Sequence, residues 1–259
     1  MTTGAATEIA NTKQPAAPDG VSGQIDRDRW YYRGIILPAA RSLSWYHRAR
    51  VSGAEPPKGP CIYVAHHGAG YLTMDLVVAV YQLAWRAWHE RRGPAIPLWI
   101  AASQGNAVER AIPGLARVKQ AAGLVDASEA TCRAVLERGD QLLLTPGGQR
   151  EMWPDARDYQ LRWAGRFGFV RLALLTGAPI VPLAVVGGYE AYPGVRIGKL
   201  SFWSPIPLPA RIDIALGDPF TPPAMPDRAR APEVVEPIQR QIWQAAQSLY
   251  DDLLARRGR

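Results

Sequence analysis

Cysteine is nearly absent from this chain. Its 259 residues hold two, Cys61 and Cys132, too few for a disulfide framework or a four-thiolate zinc site. Both stand in apolar surroundings, which predicts buried free thiols. Long apolar runs are missing as well. No stretch reaches 18 uninterrupted apolar residues, so no membrane-spanning helix is expected. Residues 1–25 are small and polar without an apolar centre, so they read as a disordered tail and not as a secretory leader. These absences predict a protein that stays inside the cell. Lysine supplies only four of the 30 basic residues. Nothing matches the Walker loop, the dinucleotide-binding G-x-G-x-x-G or the nucleophile-elbow G-x-S-x-G. No His, Cys and Asp cluster has metal-ligand spacing either.

What the chain does have is an ordinary globular balance, 47% apolar and 20% charged, which excludes wholesale disorder and a pure coiled coil. Its length suits one large domain or two small ones. The net charge of +7 is carried almost wholly by Arg, the better fork for phosphate and carboxylate. It favours anionic partners: nucleic acid, an anionic membrane face or phosphate-bearing substrates. Nucleic acid is the poorest of these, because the basic residues are dispersed and no recognised binding module is present. Nine Trp is a high number for this length.

Residues 26–50 change character abruptly. Six Arg interleave with Trp30, Tyr31, Tyr32, Trp45 and Tyr46 around an apolar face of Ile35, Ile36, Leu37 and Leu43. Pro38 is expected to kink or divide the helix. Arg and aromatic rings beside a short apolar stretch suit a membrane interface; a first helix packed on the core with a solvated Arg face is the alternative. Beyond it, apolar strands at 61–68, 97–103, 141–148 and 178–187 alternate with helical patterns at 75–90, 105–111, 128–138 and 165–177. One further strand is expected at 210–217 and a last amphipathic helix near 233–256. Strands alternating with helices predict an α/β fold whose central sheet is largely parallel and flanked by helices.

Two constellations carry chemistry. His66 and His67 sit at the exit of an apolar strand, and Asp75 follows at the start of a helix. A carboxylate there is favoured by the helix dipole and can reach back to an imidazole; an imidazole held through one nitrogen can use the other as general base. By itself such a pair is more often structural than catalytic. The second constellation is Pro146-Gly147-Gly148 with Arg150 and Glu151 after a buried strand. Exposed backbone N–H groups beside an Arg suit an anion or an oxyanion, although a plain β-turn reads equally well. Glu151 either pairs with Arg150 or is a surface group. His47 and His89 are expected to be partly exposed.

In order, the pieces resemble the lysophospholipid acyltransferase superfamily, the phospholipid/glycerol acyltransferases of the lysophosphatidic acid acyltransferase type. The resemblance covers roughly residues 40–255. VSGAEPPKGPCIYVAHHGAGYLTMD (51–75) is similar to the family's first block, and His67 and Asp75 fall on its catalytic His and Asp. Residues 112–151 are similar to the second and third blocks, and TGAPIVPLAVVG (176–187) to the proline-containing fourth. The family's commoner first block is Asn-His-x4-Asp; here Ala65-His66-His67 is followed by seven residues and then Asp75. Pro-Gly-Gly replaces the usual Pro-Glu-Gly-Thr. Both departures are similar to a diacylglycerol-acyltransferase-like subgroup.

The resemblance implies acyl transfer from a thioester, acyl-CoA or acyl carrier protein, to a hydroxyl of a glycerolipid or other lipid, without a covalent enzyme intermediate. His67 is then the general base oriented by Asp75. Gly147, Gly148, Arg150, Glu151 and, in the second block, Arg117 are then substrate-binding. His66 is a structural neighbour, and no cofactor or metal is implied. Trp85 and Trp88 line an acyl channel or pack the core, and Trp153 and Trp163 lie near the acceptor. The implied organisation is a tail (1–25), an interface segment (26–50) and an acyltransferase domain (51–259). The implied location is cytoplasmic, peripheral on the inner face of the cell membrane. The competing expectation is a catalytically weak, membrane-associated lipid-binding protein on the same fold.

Overall fold

A computed structural model describes residues 37–68, 74–91, 98–102, 123–151, 158–197, 200–204 and 206–258. Arg117, Trp30, Trp153, Gly70, Thr73 and the helix expected at 105–111 lie outside them, as do the side chains of Trp88 and His89.

Seven strands form one sheet in the order β1-β9-β6-β2-β5-β3-β4, from β1 (Arg50–Gly53), β2 (Ile62–Val64), β3 (Leu98–Ala102), β4 (Leu124–Asp126), β5 (Gln141–Leu144), β6 (Ile180–Val186) and β9 (Asp213–Leu216). Strands β6, β2, β5, β3 and β4 are parallel, while β9 joins β6 antiparallel and carries β1 parallel to itself. The expected α/β fold with a largely parallel sheet is therefore present. A separate hairpin joins β7 (Gly194–Ile197) to β8 (Leu200–Trp203).

Side-chain alternation on β2 shows how the sheet is covered. Cys61, Tyr63 and Ala65 face a cluster with Leu76, Val78, Ala79 and Leu83 of helix α2 (Met74–Arg91), with Leu43 of α1 (Leu37–Tyr46) packed against it. Ile62 and Val64 face the opposite cluster. That cluster is built from α3 (Glu129–Glu137), α4 (Gly168–Thr176) and the stripe Val235, Ile242, Ala246, Tyr250 and Leu253 of the C-terminal helix (Pro232–Arg257). Cys61 and Cys132 are buried thiols not joined in a disulfide, as expected.

Local chemistry sets the element ends. Ser128 caps α3, its hydroxyl accepting the Thr131 N–H at 3.3 Å. Gly177, in the left-handed region at φ 71°, closes α4. Pro182 lies inside the central strand β6, where a missing N–H would break a ladder. A strand residue's N–H and C=O point to the same side, and the Pro182 carbonyl accepts the Gly217 N–H at 2.9 Å. The missing donor therefore falls on the β9 side, just past the end of that strand.

The residues that would show a kink or division at Pro38 precede the described ones, which open inside α1 at Leu37. One expectation is corrected. His47 is fully buried, because the turn after α1 folds its ring onto the Ala210 carbonyl, 3.2 Å from Nδ1. The strands missed by pattern, β1, β4 and the β7–β8 pair, are three or four residues long, too short for a periodicity to register.

Candidate active site

Strand β2 has parallel neighbours on both sides, β5 and β6. The carboxyl ends of these three strands therefore open at the same edge of the sheet. In open α/β sheets that edge is where ligands bind. From β2 come His66, His67 and Gly68; from β5 comes the turn Thr145–Glu151; from β6 come Gly187, Gly188 and Tyr189 of a short helical turn, α5 (Gly188–Ala191).

Gly68 has φ +79°, and a Cβ there would collide with both Asp75 carboxylate oxygens; a Cβ on Gly188 would collide with Asp75 Oδ2. The fully buried carboxylate of Asp75, in the first turn of α2, is thus wedged between the residue after His67 and the turn after β6. Its Oδ1 accepts the Leu76 N–H at 2.9 Å. Asp75 and the loop that carries His67, expected together from sequence, are thus adjacent. His67 is half-buried, and burial lowers its pKa to about 4. Its Nδ1 is buried with no hydrogen-bond partner among the described residues, so Nε2 is the nitrogen that a substrate can reach.

His66 is buried in a ring of tyrosines, with centroids 5.6, 6.1 and 5.9 Å from Tyr159, Tyr189 and Tyr250. Its Nδ1 accepts the Gly68 N–H at 3.1 Å, and its backbone N–H donates to the Tyr250 hydroxyl at 3.0 Å. Burial first, then the neighbouring charge of His67, lowers its pKa to about 3. Both imidazoles are neutral near pH 7.

Glu151 departs from both sequence readings. It is fully buried and, among the described residues, pairs with no Arg side chain. Its Oε2 accepts the His67 backbone N–H at 3.0 Å and its Oε1 the Arg162 backbone N–H at 2.6 Å. The Tyr189 hydroxyl donates to its carbonyl. A Cβ on Gly147 would overlap the Glu151 carboxyl carbon, so glycine there makes room for the carboxylate. Burial raises the Glu151 pKa to about 7 against the pull of those hydrogen bonds.

The remaining residues divide. Arg150 is exposed at the turn. The Gly148 N–H, offered by sequence as an anion donor, is taken within the turn by the Thr145 carbonyl at 3.0 Å, and Gly148 sits at φ +54°. Trp163 is buried against Phe169 in the core. Trp85 is half-buried with the Arg41 guanidinium over its ring.

Sequence reasoning missed Gly188, Tyr159, Tyr189 and Tyr250. The Gly187-Gly188-Tyr189 run just past an apolar strand was the available signal, since it repeats the strand-to-glycine exit seen at Gly68 and Gly147. Tyr159 is held at φ +53°, a costly setting for an aromatic residue, with its hydroxyl accepting the Gly187 N–H at 2.9 Å.

Comparison with known proteins agrees with this architecture. The diacylglycerol acyltransferase family model matches residues 107–202, a span that holds the Pro-Gly-Gly turn and Glu151 and begins after His67 and Asp75. An uncharacterized protein of Mycobacterium tuberculosis is 30% identical over 218 residues, 74% of this chain and 58% of the relative. The chain thus spans little more than half the length of that relative. Phytyl ester synthase 2, chloroplastic, of Arabidopsis thaliana is 33% identical over 133 residues, 51% of this chain and 18% of that protein. The crystal structure of the 1-acyl-sn-glycerophosphate (LPA) acyltransferase of Thermotoga maritima matches with a TM-score of 0.54 at 18% identity, covering 88% of this chain and 84% of that one. That likeness is one of fold.

Proposed function

We propose that this chain, a member of the glycerolipid acyltransferase superfamily, moves an acyl group from a thioester to a lipid hydroxyl, with His67 as general base and Asp75 as its orienting carboxylate. The observation that carries the reading is the buried, partnerless Nδ1 of His67 at the strand end where Asp75 packs. For Nε2 to act as base, Nδ1 must hold the proton. A buried N–H without an acceptor costs about 1–3 kcal/mol, and the carboxylate beside the loop is the acceptor at hand. Catalytic hydrogen bonds often run long in the free protein and tighten when substrate binds.

As the acceptor oxygen bonds to the thioester carbonyl carbon, its proton passes to Nε2. The imidazolium so formed is stabilised by Asp75. When the tetrahedral adduct collapses, the C–S bond breaks and the departing thiolate takes the proton from Nε2, leaving an ester and a free thiol. General-base assistance of this kind contributes about 10²–10⁴-fold. Glu151 fixes the backbone of His67, and Gly147 and Gly148 shape the turn beside it. Arg150, and Arg117 from the second block, meet the anionic part of an acyl-CoA or acyl-carrier-protein donor.

The protein then works on an anionic membrane surface as a peripheral protein. Among the described residues no helix is long and apolar enough to cross a membrane. Incubation of the purified chain with labelled acyl-CoA and mixed monoacyl and diacyl acceptors tests the reading; transfer that His67→Ala leaves intact contradicts it. One observation favours the second reading, a lipid-binding protein without catalysis: the Gly148 N–H is spent inside its own turn. Saturable lipid binding with no acyl transfer is the result expected of it.

A further inference from the structure

Among the described residues the most exposed large apolar side chains lie in two segments that are tied together. Trp45 is 81% exposed at the end of α1; Val195, Ile197 and Phe202 are exposed on the β7–β8 hairpin, and Ile206 (70%) and Leu208 on the segment after it. The Tyr46 hydroxyl donates to the Pro207 carbonyl at 2.7 Å and an Arg48 guanidinium N–H to the Pro209 carbonyl at 3.2 Å. The Leu208 N–H donates to the Ala191 carbonyl at 2.7 Å, and the Ser204 N–H to that of Pro193 at 2.9 Å.

The hairpin is two-sided. Val195 pairs across from Phe202 and shares their face with Ile197, two residues on. On the other face Trp203 turns inward, its ring 5.9 Å from that of Tyr189, and Gly194 is the residue whose Cβ that ring would strike. Among the described residues nothing covers the apolar outer face, and the inner face is rooted on Tyr189, which donates to the Glu151 carbonyl. A contiguous exposed apolar surface of this kind marks an interaction site.

Charge identifies the occupant. Neither segment, 37–54 or 191–210, contains a single Asp or Glu, while they carry Arg41, Arg48, Arg50, Arg196 and Lys199. Aromatic and aliphatic side chains on two segments whose charged residues are all basic fit the headgroup level of an anionic bilayer. We propose that the outer face of the β7–β8 hairpin, together with residues 206–208 and the end of α1, is the surface by which this chain seats itself on an anionic lipid bilayer. That seat sets the edge carrying His67, Asp75 and Glu151 close to its lipid. The assignment deepens the lipid chemistry proposed above, and its test involves no turnover.

The test is flotation of the full chain with phosphatidylcholine vesicles, with and without phosphatidylglycerol. Wild type is expected to float with the mixed vesicles and to bind pure phosphatidylcholine at least tenfold more weakly. Ile197→Glu/Phe202→Glu, and separately Ile206→Glu/Leu208→Glu, are expected to weaken binding tenfold or more with unchanged circular dichroism. Gln244→Glu, exposed on the C-terminal helix, is expected to bind as wild type. Binding indifferent to phosphatidylglycerol, or to both double substitutions, overturns the inference. So does a wild-type dimer in sedimentation that the same substitutions dissociate, because the face is then an interface between copies. His67→Ala, run in the same assay, is expected to float normally, so a protein without activity still answers the question.

Discussion

Glu151 holds His67 by its backbone: Oε2 of the buried carboxylate accepts the His67 N–H at 3.0 Å, while Oε1 takes the Arg162 N–H at 2.6 Å. The loop that carries the proposed base is thereby fastened to the turn after β5 and to the chain segment leading into α4. Glu151→Ala leaves two N–H groups without their acceptor, each worth about 1–3 kcal/mol. A fall of about 10 °C in melting temperature is expected for a chain of this size. Glu151→Gln keeps one amide oxygen as acceptor and is expected to lose less than half of that. A melting temperature unchanged in Glu151→Ala contradicts the tether.

Three titratable groups of the site, His66, His67 and Glu151, predict the pH dependence of stability between pH 4 and 8. His66 and His67 have folded pKa values of about 3 and 4 against an ordinary 6.5. The unfolded chain therefore binds their protons first, and stability falls as pH drops from 6.5 toward 4. Glu151 runs the other way: its folded pKa of about 7 stands above the ordinary 4.5. Its contribution is full below pH 4.5 and is lost as pH rises through 7. Two histidines against one carboxyl leave a net loss on acidification of about 1.4 kcal/mol per pH unit between pH 6 and 5. Thermal melts across pH 4–8 measure it, and Glu151→Gln is expected to steepen the acid limb. Equal melting temperatures at pH 5 and pH 6.5 contradict the account.

Gly188 and Gly148 make a discriminating pair. A Cβ at residue 188 strikes Asp75 Oδ2, whereas at residue 148 it meets nothing. Gly188→Ala must displace the carboxylate and is expected to reduce acyl transfer by about 10²-fold, the scale of a misplaced catalytic group. Gly148→Ala has only its left-handed backbone to resist it, at about 1 kcal/mol, and is expected to keep most of its activity. Steady-state turnover beside a melting curve separates the two effects; equal loss in both variants contradicts the packing argument.

Much of this was legible in the sequence, for identifiable reasons. Apolar runs ending in glycine marked β2, β5 and β6, and those three carry the site. The helical pattern at 128–138 placed α3 within a residue of its observed ends. The strand exit and the helix start were legible too, and the Asp75 carboxylate does pack against Gly68, the residue after His67. What stayed hidden depends on tertiary packing. Glu151 follows Arg150 directly, and only the fold shows that its carboxylate turns inward to two backbone N–H groups. His47 sits among Arg and aromatic residues like a surface side chain, yet the pairing of β1 with β9 draws the turn before β1 against Ala210 and buries it. Nor does periodicity bring Tyr250, near the end of the chain, to the His66 N–H.

Arg257 supplies a check remote from the chemistry. Its guanidinium donates to the Arg211 carbonyl at 2.6 Å, the Val186 carbonyl at 3.3 Å and the Asp213 carboxylate at 2.9 Å. The C-terminal helix is thereby fastened to β6 and β9. Arg257→Ala breaks a mostly buried charged network, with an expected loss of about 3 kcal/mol and little change in turnover at a temperature where the variant stays folded. Urea melts and turnover at low temperature measure the two. A turnover loss without a stability loss contradicts this structural role.

The most direct measurement is the rate of acyl transfer by wild type and His67→Ala, from acyl-CoA and from acyl carrier protein, to monoacyl- and diacylglycerol acceptors. Free thiol release and ester formation are followed together, and both proteins are shown to melt cooperatively. The account predicts matched thiol and ester in the wild type and a loss of about 10²–10⁴-fold in the variant. A folded His67→Ala chain that transfers acyl groups at the wild-type rate, or a folded wild type that transfers none to any acceptor, contradicts it.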